Sequence, residues 1–138
     1  MSAPTTPAVA ALLLAMQGTA AIACGHCIED KLAATYDHGV VAKAMQRGHA
    51  MVFLEAAGLE RAEHGSAPAL VATIEAVPGV DRGTVRVSAA PPAVSFSFDV
   101  DRYAVANAVS EINRRLASRK VALTLLRVLD SRSAVARK

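Results

Sequence analysis

The sequence predicts an α+β fold in which a four-stranded antiparallel sheet carries two helices on one face, preceded by a short helical extension. Three observations carry the prediction. From His49 to Leu129 the apolar residues switch between the two-residue period of strands and the roughly 3.6-residue period of helices, in the order strand, helix, strand, strand, helix, strand. The middle strands are separated only by Ala90-Pro91-Pro92, a hairpin-length connection. At 138 residues, 53% of them hydrophobic, the chain has material for one packed core and not for two.

Taken in order, the chain opens without charge. Met1 to Ala23 carries no charged side chain, and Ala8 to Met16 is an unbroken apolar run. The run is far shorter than the roughly 20 residues a spanning helix needs, so no transmembrane span is expected. Ala21-Ile22-Ala23 offers the small-x-small pattern of a signal-peptidase site immediately before Cys24. Residues 1–23 therefore read as a signal peptide or apolar leader, although no Lys or Arg precedes the run, and the expected location is periplasmic or otherwise exported. A cysteine directly after the cleavage point is also a lipoprotein acceptor, with Ala21 standing where a lipobox prefers Leu.

Residues 24–48 form the helical extension. Ile28, Leu32, Ala33 and Tyr36 recur at helical spacing, and Glu29 and Asp30 lie in a first turn where carboxylates suit the helix dipole. Asp37 is the expected N-cap of a second helix from Gly39 to Gln46, ended by Gly48. Residues 49–130 are the body. His49 to Glu55 is a buried strand, a polar loop runs through Ser66, and Pro68 opens a helix with Leu70, Val71, Ile74 and Val77 facing inward. Pro78-Gly79 stops it. Gly83 to Ala89 and Val94 to Phe98 alternate as the two arms of the hairpin. Asp99 or Asp101 then caps a longer helix whose inward face holds Tyr103, Val105, Ala108, Val109, Ile112 and Leu116, and Val121 to Leu129 is the final strand. Residues 131–138 read as a frayed tail. This wiring is the split βαβ, or ferredoxin-like, βαββαβ sandwich, and it needs no unusual crossover.

Chemistry concentrates in Cys24-Gly25-His26-Cys27, which holds both cysteines and one of the four histidines. Two thiols at this spacing can close a small disulfide, share one metal ion or run thiol exchange. Cys27, at a helix N-terminus, is expected to be the more acidic thiol. Soft thiolates select Cu(I) or Zn(II), with His26 as third ligand or proton partner. His38, at the junction of the two short helices, and His64, in the loop after the first strand, are the candidate additional ligands. A lipid on Cys24 would remove the dithiol, whereas ordinary cleavage would leave a free amine beside it. A net charge of +3, with three Phe, two Tyr and no Trp, gives no case for nucleic acid; the basic charge reads as scattered, with a mild cluster at Arg127, Arg132, Arg137 and Lys138. The sequence has no G-x-S-x-G, phosphate-cradling Gly loop or H-E-x-x-H, and an enzyme is not expected.

Residues 49–129 resemble the heavy-metal-associated domain of copper chaperones and copper-transporting ATPases. The resemblance rests on Leu70, Ile74, Glu75, Ala76, the Val77-Pro78-Gly79-Val80 helix ending, the hairpin Thr84-Val85-Arg86-Val87 with Val94-Ser95-Phe96, and Phe98-Asp99. It implies a domain that binds Cu(I) or a related soft metal through a C-x-x-C in the loop between the first strand and first helix, and hands it to a protein partner. The corresponding positions here fall near Glu63 and Ser66, so the thiols stand in the extension instead. If the extension docks across that end of the sheet, His64 approaches Cys24 and Cys27. The tetrapeptide also resembles the active site of protein disulfide isomerases, which leaves a thiol-disulfide oxidoreductase as an alternative. That family sets the motif after a core strand and faces it with a cis-proline, whereas Pro68 opens a helix. A third reading is an interaction module with a structural disulfide or lipidated Cys24. A homodimer is open through the edge strand Val121 to Leu129 or an uncovered sheet face.

Overall fold

The computed structural model of the chain describes residues 27–62 and 65–132. Its elements are α1 (Ile28–Thr35), α2 (His38–Gln46), β1 (Ala50–Ala57), α3 (Ala67–Glu75), β2 (Arg86–Ala89), β3 (Pro92–Phe98), α4 (Val105–Leu116) and β4 (Ala122–Leu129). The strands form one antiparallel sheet in the order β2-β3-β1-β4. Each of the two β–α–β units places its strands apart by one position, with β1 and β3 paired at the centre and the hairpin adding β2 at one edge, which is the ferredoxin-like arrangement expected from the sequence.

Strand alternation divides the core in two. Val52, Leu54 and Ala56 of β1 and Val94, Phe96 and Phe98 of β3 point to one face, where Leu70 and Ile74 of α3 and Ala108, Ile112 and Leu116 of α4 cover them. The Val77-Pro78-Gly79-Val80 turn is built into this layer. Gly79 has φ +97°, and a β-carbon there would lie 2.6 Å from the Phe98 ring. Only glycine lets the turn close over that ring while Val80 bridges to Phe98.

The opposite residues, Met51 and Phe53 of β1, meet Leu32 of α1 and Val40 and Ala44 of α2. The extension therefore covers the second sheet face and does not dock across its end. α1 and the cap residue Asp37 that follows it tie to all four strands in their spatial order. Glu29 pairs with Arg127 on β4 (3.3 Å), Lys31 with Glu55 on β1 (2.8 Å), the Thr35 carbonyl accepts from Ser95 Oγ on β3 (2.9 Å), and Asp37 pairs with Arg86 on β2 (3.0 Å). Eight residues of helix rise span about 12 Å and three strand spacings about 14 Å, so a helix laid across the sheet meets one strand about every third residue.

This placement corrects several expectations. Leu32 faces the sheet as expected, but Ile28, Ala33 and Tyr36 are exposed, and Lys31 and Thr35 take the sheet side with Leu32 instead, because the polar ties above select that face. The Asp37 cap is as expected, its carboxylate accepting from the Val40 N–H at 3.1 Å. Neither Asp99 nor Asp101 caps α4; Ala104 holds that position, and Asp99 Oδ1 instead accepts from the Asp101 and Arg102 N–H groups of the preceding turn. Tyr103 belongs to that turn, 43% exposed, its ring edge-on to Phe98. Ser95 and Ser97, on the face of β3 opposite Val94, Phe96 and Phe98, are buried under the extension. The second sheet face is thus not available for pairing two copies, while β4 is an edge strand as expected.

Candidate metal centre

Cys27 occupies the N-cap of α1 in extended conformation, its carbonyl accepting from the Lys31 N–H at 3.3 Å. Its thiol is free and exposed. The start of α1 lies at the β4 rim of the sheet, since Glu29 in its first turn reaches Arg127. Cys24 and His26 fall outside the described residues, as does His64, so the expected ligand set is represented by Cys27 and His38. His38 is the first residue of α2, exposed, and α1 separates it from Cys27. The two sit at opposite ends of that helix. Among the described residues there is no cluster of three or more His, Cys, Asp or Glu side chains placed to hold a metal ion.

The loop between β1 and α3, where the resemblance would put a metal site, contains no cysteine between Gly58 and Ser66. Its described part is shaped by packing. Gly58 takes φ +92°, and a β-carbon there would lie 2.2 Å from the Lys120 carbonyl oxygen, so the loop closes directly onto the connection that follows α4. Ser66 stands at the N-cap of α3 without a side-chain capping bond, and Pro68 sits in the helix's first turn as expected.

One further histidine is engaged in the body. His49 Nδ1 lies 2.7 Å from Asp81 Oδ2, which also accepts from Ser97 Oγ at 2.5 Å, and His49 Nε2 lies 4.0 Å from Asp99 Oδ2. The network ties the start of β1 to the turn before β2 and the end of β3. It is a bridge between elements, with its serine on the carboxylate and not on the imidazole.

The basic charge is arranged otherwise than a scattered reading expects. Arg127 and Arg132 at the C-terminal end are paired, with Glu29 and Asp101. Lys43, Arg47, Arg82 and Arg86 instead line one cavity between α2 and the segment leading into β2. The four-residue spacing of Lys43 and Arg47 on a helix was the available sequence signal, since it puts both on one face.

No protein-family model and no curated protein matches the chain. Among solved structures, oxidised MerP from Ralstonia metallidurans CH34 is similar at 17% identity, covering 56% of this chain and 96% of that one, with a TM-score of 0.44. A copper binding domain from HMA7, a P-type ATPase, is similar at 14% identity, covering 57% of this chain and 96% of its own, with a TM-score of 0.45. No helix among the described residues is long and apolar enough to cross a membrane.

Proposed function

We propose that the protein is an exported, non-enzymatic binder of a soft metal ion, Cu(I) as its first candidate, which it holds through the Cys24 and Cys27 thiolates with His26 beside them. The observation that carries the reading is the exposed, unpaired thiol of Cys27 at the N-cap of a docked helix, with the second cysteine three residues upstream. Two thiolates suffice for Cu(I), which accepts low coordination numbers, whereas Zn(II) asks for four ligands. Among the described residues no cluster of His, Cys, Asp or Glu side chains completes a four-ligand set around Cys27. Helix α1 holds Cys27 at the rim of the sheet with its thiol open to solvent, which suits handing the ion to a partner. The resemblance of residues 49–129 to heavy-metal-associated domains supports a metal cargo. It also supports a site displaced from its usual loop, since that loop has no thiol.

The reduced chain is expected to take up one equivalent of Cu(I) in competition with a chromophoric chelator, releasing thiol protons as it does so. Cys27→Ser should abolish uptake, and Cu(I) uptake that survives it would refute the assignment. The same protein should fail to reduce insulin disulfides; sustained turnover would put the oxidoreductase reading first.

A further inference from the structure

We propose that the cavity between α2 and the segment leading into β2 is a binding site for a compact tetrahedral oxyanion, inorganic phosphate or a phosphomonoester group. The site is independent of the dithiol: Cys27 begins α1, and the cavity starts at Asp37, beyond the end of that helix.

Four cationic side chains, Lys43, Arg47, Arg82 and Arg86, line this cavity of about 270 Å³ with a single carboxylate, that of Asp37. Asp37 is already committed. One of its oxygens accepts from the Val40 N–H and the other from Arg86 Nε, and these two contacts, the first foremost, hold its carboxyl below the ordinary carboxylate range. It therefore stays charged and offsets Arg86 alone. The side chains of Lys43, Arg47 and Arg82 make no hydrogen bond or ion pair to any described residue, so three cations line a common space with no paired protein anion among the described residues. Like charges four residues apart on a helix repel, and Lys43 with Arg47 is such a pair. A bound anion converts that repulsion into attraction.

The site is also preorganised. Arg86 is fixed from three sides, by Asp37 through Nε and by the Gly83 and Val85 carbonyls through Nη1. Its Nη2 has no partner among the described residues and remains for a ligand. A guanidinium fork matches the oxygen edge of phosphate and holds it by paired, charge-assisted bonds. A carboxylate would need one such fork, whereas three unbalanced cations call for an anion carrying close to two charges on one centre. The volume favours the same answer, because about 270 Å³ falls just under the usual range for drug-sized ligands and holds roughly nine waters' worth of space. A phosphate with residual waters, or the head of an ester, fits that space.

The experiment is a titration of the full chain, reduced and uniformly 15N-labelled, with sodium phosphate, set against sodium chloride at matched ionic strength. Phosphate should produce saturable shifts in the amides of Gly39, Val40, Gly83 and Thr84, which line the cavity. The double variant Lys43→Gln/Arg82→Gln, which breaks no side-chain hydrogen bond or ion pair to a described residue, should bind about tenfold or more weakly, while Arg119→Gln, outside the cavity, should bind as the parent does. If the double variant loses its dispersed spectrum, Arg82→Gln alone carries the comparison. Phenyl phosphate run in parallel separates the sources: binding at least as tight as phosphate assigns an ester group, and loss of binding assigns the free ion. Shifts indistinguishable from chloride, or equal phosphate affinity in the variants, would overturn the proposal.

Discussion

The ion pair between Lys31 and Glu55 gives the sharpest test of how the extension is mounted. The Lys31 side chain is only 6% exposed and Glu55 is 36% exposed, with Nζ and Oε1 2.8 Å apart. The two partners therefore stand to lose different amounts when the other is removed. Glu55→Gln keeps the shape but leaves an ammonium sealed between α1 and the sheet without a counter-charge. Breaking a fully buried pair this way costs about 3–5 kcal/mol and a surface pair about 0–1, so with one partner a third open the expected cost is about 2 kcal/mol. Lys31→Met removes the buried charge, fills nearly the same volume with an apolar chain, and leaves a carboxylate that water can reach. Its expected cost is below about 1 kcal/mol. The double variant should cost no more than Lys31→Met alone, because its glutamine no longer faces a stranded ammonium. Urea unfolding of the full chain followed by far-ultraviolet circular dichroism reads all three. Near 100 ordered residues, about 2 kcal/mol corresponds to roughly 8 °C in Tm. A Lys31→Met variant less stable than Glu55→Gln would show that the lysine stabilises by its charge and that the asymmetry of burial does not govern the pair.

Further outcomes follow from the same packing. Gly79→Ala forces a side chain into a left-handed backbone and against the Phe98 ring, and should lower stability by about 1–3 kcal/mol in the same unfolding experiment. Thr35→Val should be neutral or slightly stabilising, by up to about 1 kcal/mol, since the buried Thr35 Oγ1 has no hydrogen-bond partner among the described residues and its carbonyl keeps the Ser95 bond. The Asp37 carboxyl, held down by the Val40 N–H and then by Arg86, takes up protons more readily in the unfolded chain. Its contribution is present above the ordinary carboxylate value of 3.8 and is lost as pH falls through the lower folded one. Asp37→Asn should therefore flatten the acid limb of stability against pH below about pH 5, and an unchanged slope would contradict the role given to the cap.

The body was legible because its signals are local and redundant. Pro78-Gly79, the hairpin across Ala90-Pro91 and the periods on either side each point to the same wiring, and Asp37 stops one helix and starts the next by a bond to its own neighbour. The face of α1 was not. Its few apolar residues define no dominant stripe, and the choice of Lys31 and Thr35 over Ile28 and Tyr36 is made by Glu55 and Ser95, more than twenty residues away in the chain. The burial of Ser95 and Ser97 has the same origin, since an alternating serine carries no sign of the third layer that covers it. Of the candidate site, the position of Cys27 at a helix start was readable, as was that of His38 at the junction of the two short helices. The cationic cavity was not, because α2 and the turn before β2 meet only in the folded chain.

The third layer also decides what kind of mount the thiol motif has. A helix of eight residues is well below the roughly 12–15 at which helices begin to persist alone in water, so α1 exists because it is docked. The N-cap geometry of Cys27 is thereby a property of the sheet face: it depends on Leu32 against Met51 and Phe53, and on the four ties that carry the helix from β4 to β2. Releasing α1 would cost those ties together and expose Met51 and Phe53 to water. Under the proposed function, a metal at Cys27 therefore has no part in organising α1, which the sheet already holds. The packing that covers the sheet thus sets where the Cys27 backbone stands at the N-cap of α1.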